Sequence, residues 1–128
     1  MTYTSLTVYP MSWSAALPAN RGVHPVWVAA TLSEGNRFTC TGKETVLLRS
    51  ANAAVVTVTL KSNACDQGHT TEHDFTMTIP IGSVTEQFAE IPEVAKSQFA
   101  STVDTVANQV RVQFSSITGV QVAITQRT

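Results

Sequence analysis

Residues 44–62, ETVLLRSANAAVVTVTLKS, constrain the fold of this chain more than any other stretch. Their β-branched residues and alternating polarity predict two β-strands joined by a short polar turn at residues 50–53, in which Asn52 can take a left-handed conformation. One face of the second strand is apolar, and it consists of Ala54, Val56, Val58 and Leu60. An alternation of period two indicates a strand with one buried face, so we predict a hairpin at the centre of the fold.

Similar alternation recurs along the rest of the chain. Further strands are predicted at residues 26–31, 37–41, 73–81, 84–91, 110–115 and 120–125. Residues 93–106 predict a loop or a short helix, and residues 116–119 predict the turn of a final hairpin. About seven or eight short strands with regularly spaced turns predict an all-β fold, an antiparallel β-sandwich of jelly-roll or Greek-key-like type.

The strand faces also predict which side chains are buried. Each of these strands places its larger apolar residues at alternate positions, which indicates one face turned towards a core. The predicted core residues are Val56, Val58, Phe75, Met77, Val112, Phe114, Val122 and Ile124.

The N-terminal residues 1–25 lack a clear period and contain Pro10, Pro18 and Pro25. We interpret them as an extended arm that lies on its own domain or on a neighbour, and residues 26–128 as a single β-sandwich domain. A first edge strand followed by a loop is the alternative. Because aromatic and aliphatic residues anchor interfaces, the arm supplies the predicted interface residues. These are Tyr3, Leu6, Tyr9, Met11, Trp13 and Leu17.

The composition excludes several classes of function. Only 13% of the residues are charged and the net charge is −1, which argues against direct binding of nucleic acid. No apolar run approaches the roughly 20 residues that span a bilayer, and the N-terminus lacks the pattern of a secretory signal. The two cysteines, Cys40 and Cys65, are expected to be reduced thiols rather than the basis of a disulfide-built scaffold.

Residues 65–73, CDQGHTTEH, contain the candidate metal ligands Cys65, His69 and His73. The segment lacks the close cysteine pair that makes zinc motifs specific, so we interpret it as a solvated loop and predict no metal and no other cofactor. A thiol- or metal-dependent enzyme would depend on this loop alone, and we predict no catalytic residues. Glu86, Glu90 and Glu93 are expected to give solubility.

Four aromatic residues could form a carbohydrate-binding platform, Tyr3, Tyr9, Trp13 and Trp27. Trp27 lies within a predicted strand, so we expect it in the core. The other three lie in the arm and are interface candidates.

The order of three motifs resembles small β-sandwich virion proteins of tailed bacteriophages. The motifs are GNRFTCTGKETVLLRSANAAVVTVTL, DFTMTIPIGSV and NQVRVQFSSITGVQVAITQ, within residues 35–126. The resemblance implies a capsid decoration or cement protein at the virion surface, made in the host cytoplasm. Its implied partners are the major capsid protein and further copies of itself, as a homotrimer. A neck, tail or fibre module that binds carbohydrate or a receptor is the alternative.

Overall fold

The computed structural model describes residues 3–11, 26–32, 35–63 and 73–127, which form an all-β sandwich of two sheets. Within these residues there are eleven strands, more than predicted, because strands of two to four residues are too short to show an alternation. The elements are β1 (Thr4–Ser5), β2 (Val8–Met11), β3 (Val28–Ala29), β4 (Asn36–Thr39), β5 (Glu44–Ser50), β6 (Val56–Leu60), β7 (Phe75–Ile79), β8 (Gln87–Ile91), α1 (Lys96–Phe99), β9 (Ser101–Val103), β10 (Val106–Phe114) and β11 (Val120–Arg127).

The first sheet, sheet A, has the strand order β1-β4-β10-β6-β7, and β9 pairs with β10. The second, sheet B, has the order β2-β11-β5-β8, and β3 pairs with β11. The described pairings are antiparallel except β1 with β4 and β2 with β11. The antiparallel sandwich predicted from the sequence is therefore confirmed.

Both predicted hairpins are wrong in their pairing. The strands of residues 44–62 exist, but β5 belongs to sheet B and β6 to sheet A. Likewise β10 lies in sheet A and β11 in sheet B, so both connections are arches that cross between the sheets. An alternation identifies the buried face of a strand but not its partner, and two strands that face each other across a core show the same pattern as a hairpin.

The inner faces of both sheets form one core. Six of the eight predicted core residues are buried, namely Val56, Val58, Val112, Phe114, Val122 and Ile124. The other two lie on β7, where Phe75 is 41% exposed and Met77 is half-buried. Because β7 is the edge strand of sheet A, the opposite sheet covers only its end, at Ile79.

Residues 93–106 contain a short helix, as one of the two predicted alternatives. Helix α1 has only four residues and buries Phe99. It is followed by β9, which pairs with β10 through a tight turn at Asp104 and Thr105, both with positive φ. Two left-handed residues in a two-residue turn match the twist of the flanking strands.

The N-terminal segment, predicted as an extended arm on its own domain or on a neighbour, lies on its own domain over residues 3–11. Its strand β1 pairs with β4 in sheet A, and β2 pairs with β11 in sheet B. Tyr3 and Leu6 are buried within this chain, and the Leu6 amide donates to the carbonyl of Arg37 at 2.8 Å. Residues 3–11 therefore belong to the sandwich, and residues 12–25 lie outside the described part of the chain.

We expect Phe114→Ala and Phe75→Ala to differ sharply in their effects on stability. Phe114 is 8% exposed, so its truncation should lower the free energy of unfolding by about 3–5 kcal/mol. Phe75 is 41% exposed, so its truncation should cost about 1 kcal/mol or less. Denaturant unfolding of the two variants measures this, and equal losses would contradict the assignment of β7 to the margin of the core.

Candidate interaction surfaces

Three loops interlock at one end of the sandwich. We call residues 51–55, 80–86 and 115–119 the loop end. The side-chain amide of Asn52 donates to the Ser116 hydroxyl and to the Thr118 carbonyl, both at 2.9 Å, and its oxygen accepts from the Ala54 amide at 2.8 Å. The Asn52 carbonyl accepts from the Gly82 amide at 2.9 Å. One buried residue thus joins all three loops.

Close backbone contact fixes the loops further. A Cβ atom added to Gly82 would lie 1.9 Å from the carbonyl oxygen of Ser50, so only glycine fits there. The Ala51 amide donates to the Gly119 carbonyl at 2.9 Å. Loops that are already held in place lose little conformational entropy when a partner binds.

The loop end exposes apolar side chains. Val84 is 96% exposed, and Val55 and Ile81 are each 51% exposed. Among the residues of the loop end only Glu86 is charged. An apolar, uncharged surface on pre-arranged loops is typical of a protein-binding site, whose centre excludes charge.

A second candidate surface lies on the outer face of sheet B. A groove of about 390 Å³ is lined by Trp27, Leu47, Phe88 and Glu90, among others. The guanidinium of Arg49 lies 4.9 Å from the centre of the Trp27 ring. Trp27 is therefore half-buried on the outside of the sheet. The prediction from the sequence that it lies in the core is wrong. Phe88 is 66% exposed.

Glu44 is the most enclosed carboxylate among the described residues, with no exposed surface. One oxygen accepts from the amides of Thr41, Gly42 and Lys43 at 2.7–3.1 Å. The other accepts from the Thr41 hydroxyl at 2.7 Å and from Gln126 at 2.9 Å. The positive φ of Gly42 lets the turn curl around the carboxylate.

These hydrogen bonds keep Glu44 ionised. Burial alone would raise its pKa, but the hydroxyl and amide of Thr41, together with Gln126 and the amide of Lys43, hold the pKa below its ordinary value. With both oxygens occupied, this carboxylate stabilises the turn between β4 and β5 and is not placed to act as a general base.

Cys40 is a free, buried thiol. Burial raises its pKa to about 11, so it is protonated near neutral pH. Because the thiolate is the reactive form of cysteine, Cys40 has the character of a core residue rather than a nucleophile.

The candidate metal ligands are only partly within the described residues. His73 is exposed next to β7, and Cys65 and His69 lie outside the described ranges. Among the residues that the structure describes, no three histidine, cysteine or acidic side chains are grouped to hold a metal ion. The same residues include no helix that is long and apolar enough to cross a membrane.

The predicted interface residues are also divided. Tyr3 and Leu6 are buried within the chain, at 8% and 7% exposed, which leaves little of either side chain for a partner to contact. Tyr9 and Met11 lie on β2, where only the backbone is described, and Trp13 and Leu17 lie outside the described residues. The sequence analysis did not identify Val84 and Phe88 as surface residues. For Val84 the available signal was an apolar residue within the turn motif PIGSV, and for Phe88 it was an apolar residue near the start of an edge strand.

Comparison of the chain with protein-family models, with curated proteins and with solved structures found no match.

We expect Asn52→Ala to lower the free energy of unfolding by about 2–4 kcal/mol, because it removes three hydrogen bonds made by a buried side chain. Ser116→Ala is the matched control, since it removes only the hydrogen bond from Asn52 to the Ser116 hydroxyl and leaves the other two in place. It should cost less than Asn52→Ala. Urea unfolding measures both, and a loss below about 1 kcal/mol for Asn52→Ala would show that Asn52 does not hold the loops.

The depressed pKa of Glu44 predicts a pH-dependent contribution to stability. Its folded pKa lies below the ordinary value of 4.5, so this contribution is present above that pH and is lost as the pH falls through the folded pKa. Glu44→Gln should lower the free energy of unfolding by about 1–3 kcal/mol at pH 7, because its amide turns a donor towards the N–H groups of the turn.

The difference between Glu44→Gln and the parent protein should then shrink as the pH falls below 4.5. Urea unfolding at pH 7, 5 and 3 tests this, with Glu86→Gln as the exposed control. A difference that stays constant with pH would contradict the role of the ionised carboxylate.

Proposed function

We propose that this protein is a structural protein of a tailed-bacteriophage virion, a head decoration or cement protein that bridges major capsid protein subunits. The observation that carries the proposal is the loop end, an apolar and nearly uncharged surface on interlocked loops. A protein that clamps a preformed shell needs a rigid, complementary surface and no reactive groups.

The residues that resemble phage virion proteins also support the proposal. The segment TCTGKE contains the turn that encloses Glu44, and SSITGV contains the arch that Asn52 holds. In this chain the motifs therefore specify the connections between the sheets.

The assembly that we propose is a homotrimer on the capsid surface, formed after synthesis in the host cytoplasm. Capsids offer three-fold and quasi-three-fold positions, where closed symmetry lets each copy cover a neighbour's edge strand. Because Tyr3 and Leu6 lie in the core, the loop end takes over the contact with the capsid protein that the arm was expected to make.

The double variant Ile81→Ser/Val84→Ser tests this contact. It should bind capsids that lack the protein at least about tenfold more weakly, because exposed aliphatic side chains at the centre of an interface each contribute on the order of 1 kcal/mol or more. Co-sedimentation with parent-phage capsids from which this protein has been removed measures this. Val106→Ser is the control, since Val106 is 43% exposed near the opposite end.

Both serine variants should keep the melting temperature of the parent protein, because the replaced side chains are exposed. Undiminished sedimentation of the double variant would rule out the loop end as the capsid contact.

A carbohydrate-binding role at the neck or in a fibre is the second candidate, and the groove on sheet B favours it. Trp27 and Phe88 offer aromatic faces, and Arg49 and Gln121 offer planar polar groups on the same face, in hydrogen-bond contact with each other. Binding of a soluble glycan that is lost in Trp27→Ala, with capsid binding absent, would favour this role over the first.

A further inference from the structure

The two lateral sides of the sandwich are closed differently. On one side a single extended segment crosses from sheet A to sheet B, with β1 on β4 and β2 on β11. Leu6, between these strands, is buried in the core. One short extended segment thus covers two sheet edges and fills the gap between them.

On the opposite side, within the described residues, no strand pairs with the outer edge of β7 or of β8. Between these edges and residues 92–99 lies a cleft of about 350 Å³, which we call the side cleft. Its apolar lining includes Leu60, Phe75, Ile91 and Phe99. On this side, therefore, the unpaired edges of both sheets lie next to an apolar opening. The other side would have the same arrangement if residues 3–11 were removed.

The charge of the side cleft indicates what would fit it. Among the residues that the structure describes, its lining includes the carboxylates Asp74, Glu90 and Glu93 and no lysine or arginine. Asp74 is bound by Lys61 at 2.6 Å and by the Ser62 amide at 2.7 Å, and Glu90 is exposed on β8. A long side chain with an apolar stem and a cationic head matches an apolar cleft with an acidic rim.

The position of Glu90 also selects among partners. A charge on an edge strand disfavours pairing with an uncharged strand and so protects the sheet from aggregation. The same charge favours a strand that brings lysine or arginine, so one residue rejects one class of partner and accepts another.

We propose that the side cleft is an acceptor site for an extended segment of another protein, which pairs with the edge of β8 and inserts a lysine or arginine side chain. β8 is the pairing edge because both Glu90 and Ile91 line the side cleft, whereas β7 contributes only Phe75. Backbone hydrogen bonds provide the affinity and the cationic side chain the specificity. This site is separate from the loop end and does not depend on the proposed role in the virion.

Three capped pentapeptides are suitable probes, TVRVT, TVQVT and PPRPP. The first has the proposed chemistry, and the second lacks the charge. The third keeps the charge but loses backbone donors on both sides of the strand. We expect TVRVT to shift the backbone amide resonances of β7 and β8 in an NMR titration, and to bind more weakly as salt is added. TVQVT should bind about threefold to fivefold more weakly, as the loss of one partly exposed ion pair implies. PPRPP should not bind measurably.

Glu90→Gln provides the matching change in the protein, and Glu86→Gln on the loop end is its control. Glu90→Gln should remove the preference for TVRVT over TVQVT, and Glu86→Gln should leave it unchanged. Equal binding of TVRVT and TVQVT to the parent protein, binding of PPRPP as tight as TVRVT, or shifts confined to other strands would overturn the proposal. Concentration-dependent shifts at β8 without peptide would overturn it too, since they would make a second copy of the chain the occupant.

Discussion

The rest of the structure depends on the hydrogen bonds made by the side-chain amide of Asn52. A sandwich whose strands cross between the sheets must hold its connections in place, because an arch has no ladder of hydrogen bonds of its own. The side chain of Asn52 supplies hydrogen bonds in place of such a ladder, one within its own arch and two to the arch at residues 115–119. Its carbonyl adds the connection that contains Gly82. The exposed valines of the loop end owe their fixed positions to this buried group.

Glu44 plays the corresponding part at the other end of β5. It joins the turn after β4 to β11 through Gln126, and the backbone carbonyl of the same residue accepts from the Val94 amide at 3.0 Å. The sandwich is therefore fastened at both ends by a buried polar residue with its hydrogen bonds made. A group of this kind is costly to bury alone but specifies one arrangement of its neighbours when its partners are present.

The sequence was informative about faces and much less so about partners. Val56, Val58, Val112 and Phe114 were placed on the buried face because alternation is a local property that the core enforces. The pairing of β5 with β8 instead of β6 depends on which strands meet across the whole domain, and no local pattern encodes it. The alternation of apolar and polar residues along β7 predicts Phe75 as a core residue. Because β7 is an edge strand, the opposite sheet does not cover this side chain.

The sequence predicts the type of candidate surface, an apolar interface, but not which residues form it. The sequence predicts an apolar interface on the N-terminal segment, with Tyr3 and Leu6 among its six residues, because an irregular segment with prolines does not show that its short strands join both sheets. The sequence predicts Asn52 as a turn residue that can adopt a left-handed backbone conformation. Its φ is not positive in the structure, and its importance comes from the hydrogen bonds of its side chain. Side-chain bonding across 64 residues leaves no signal in a single sequence.

The pairing of β2 with β11 has a consequence for how the chain folds as it is made. Val8 lies beside Ile124, so β2 cannot pair in sheet B until a segment much later in the chain has been synthesised. Sheet B cannot close before then, and contacts so distant in sequence favour slow folding. Until β11 is made, β2 and β5 lack the strand that lies between them, so the backbone groups along these edges of both strands stay unpaired on the nascent chain.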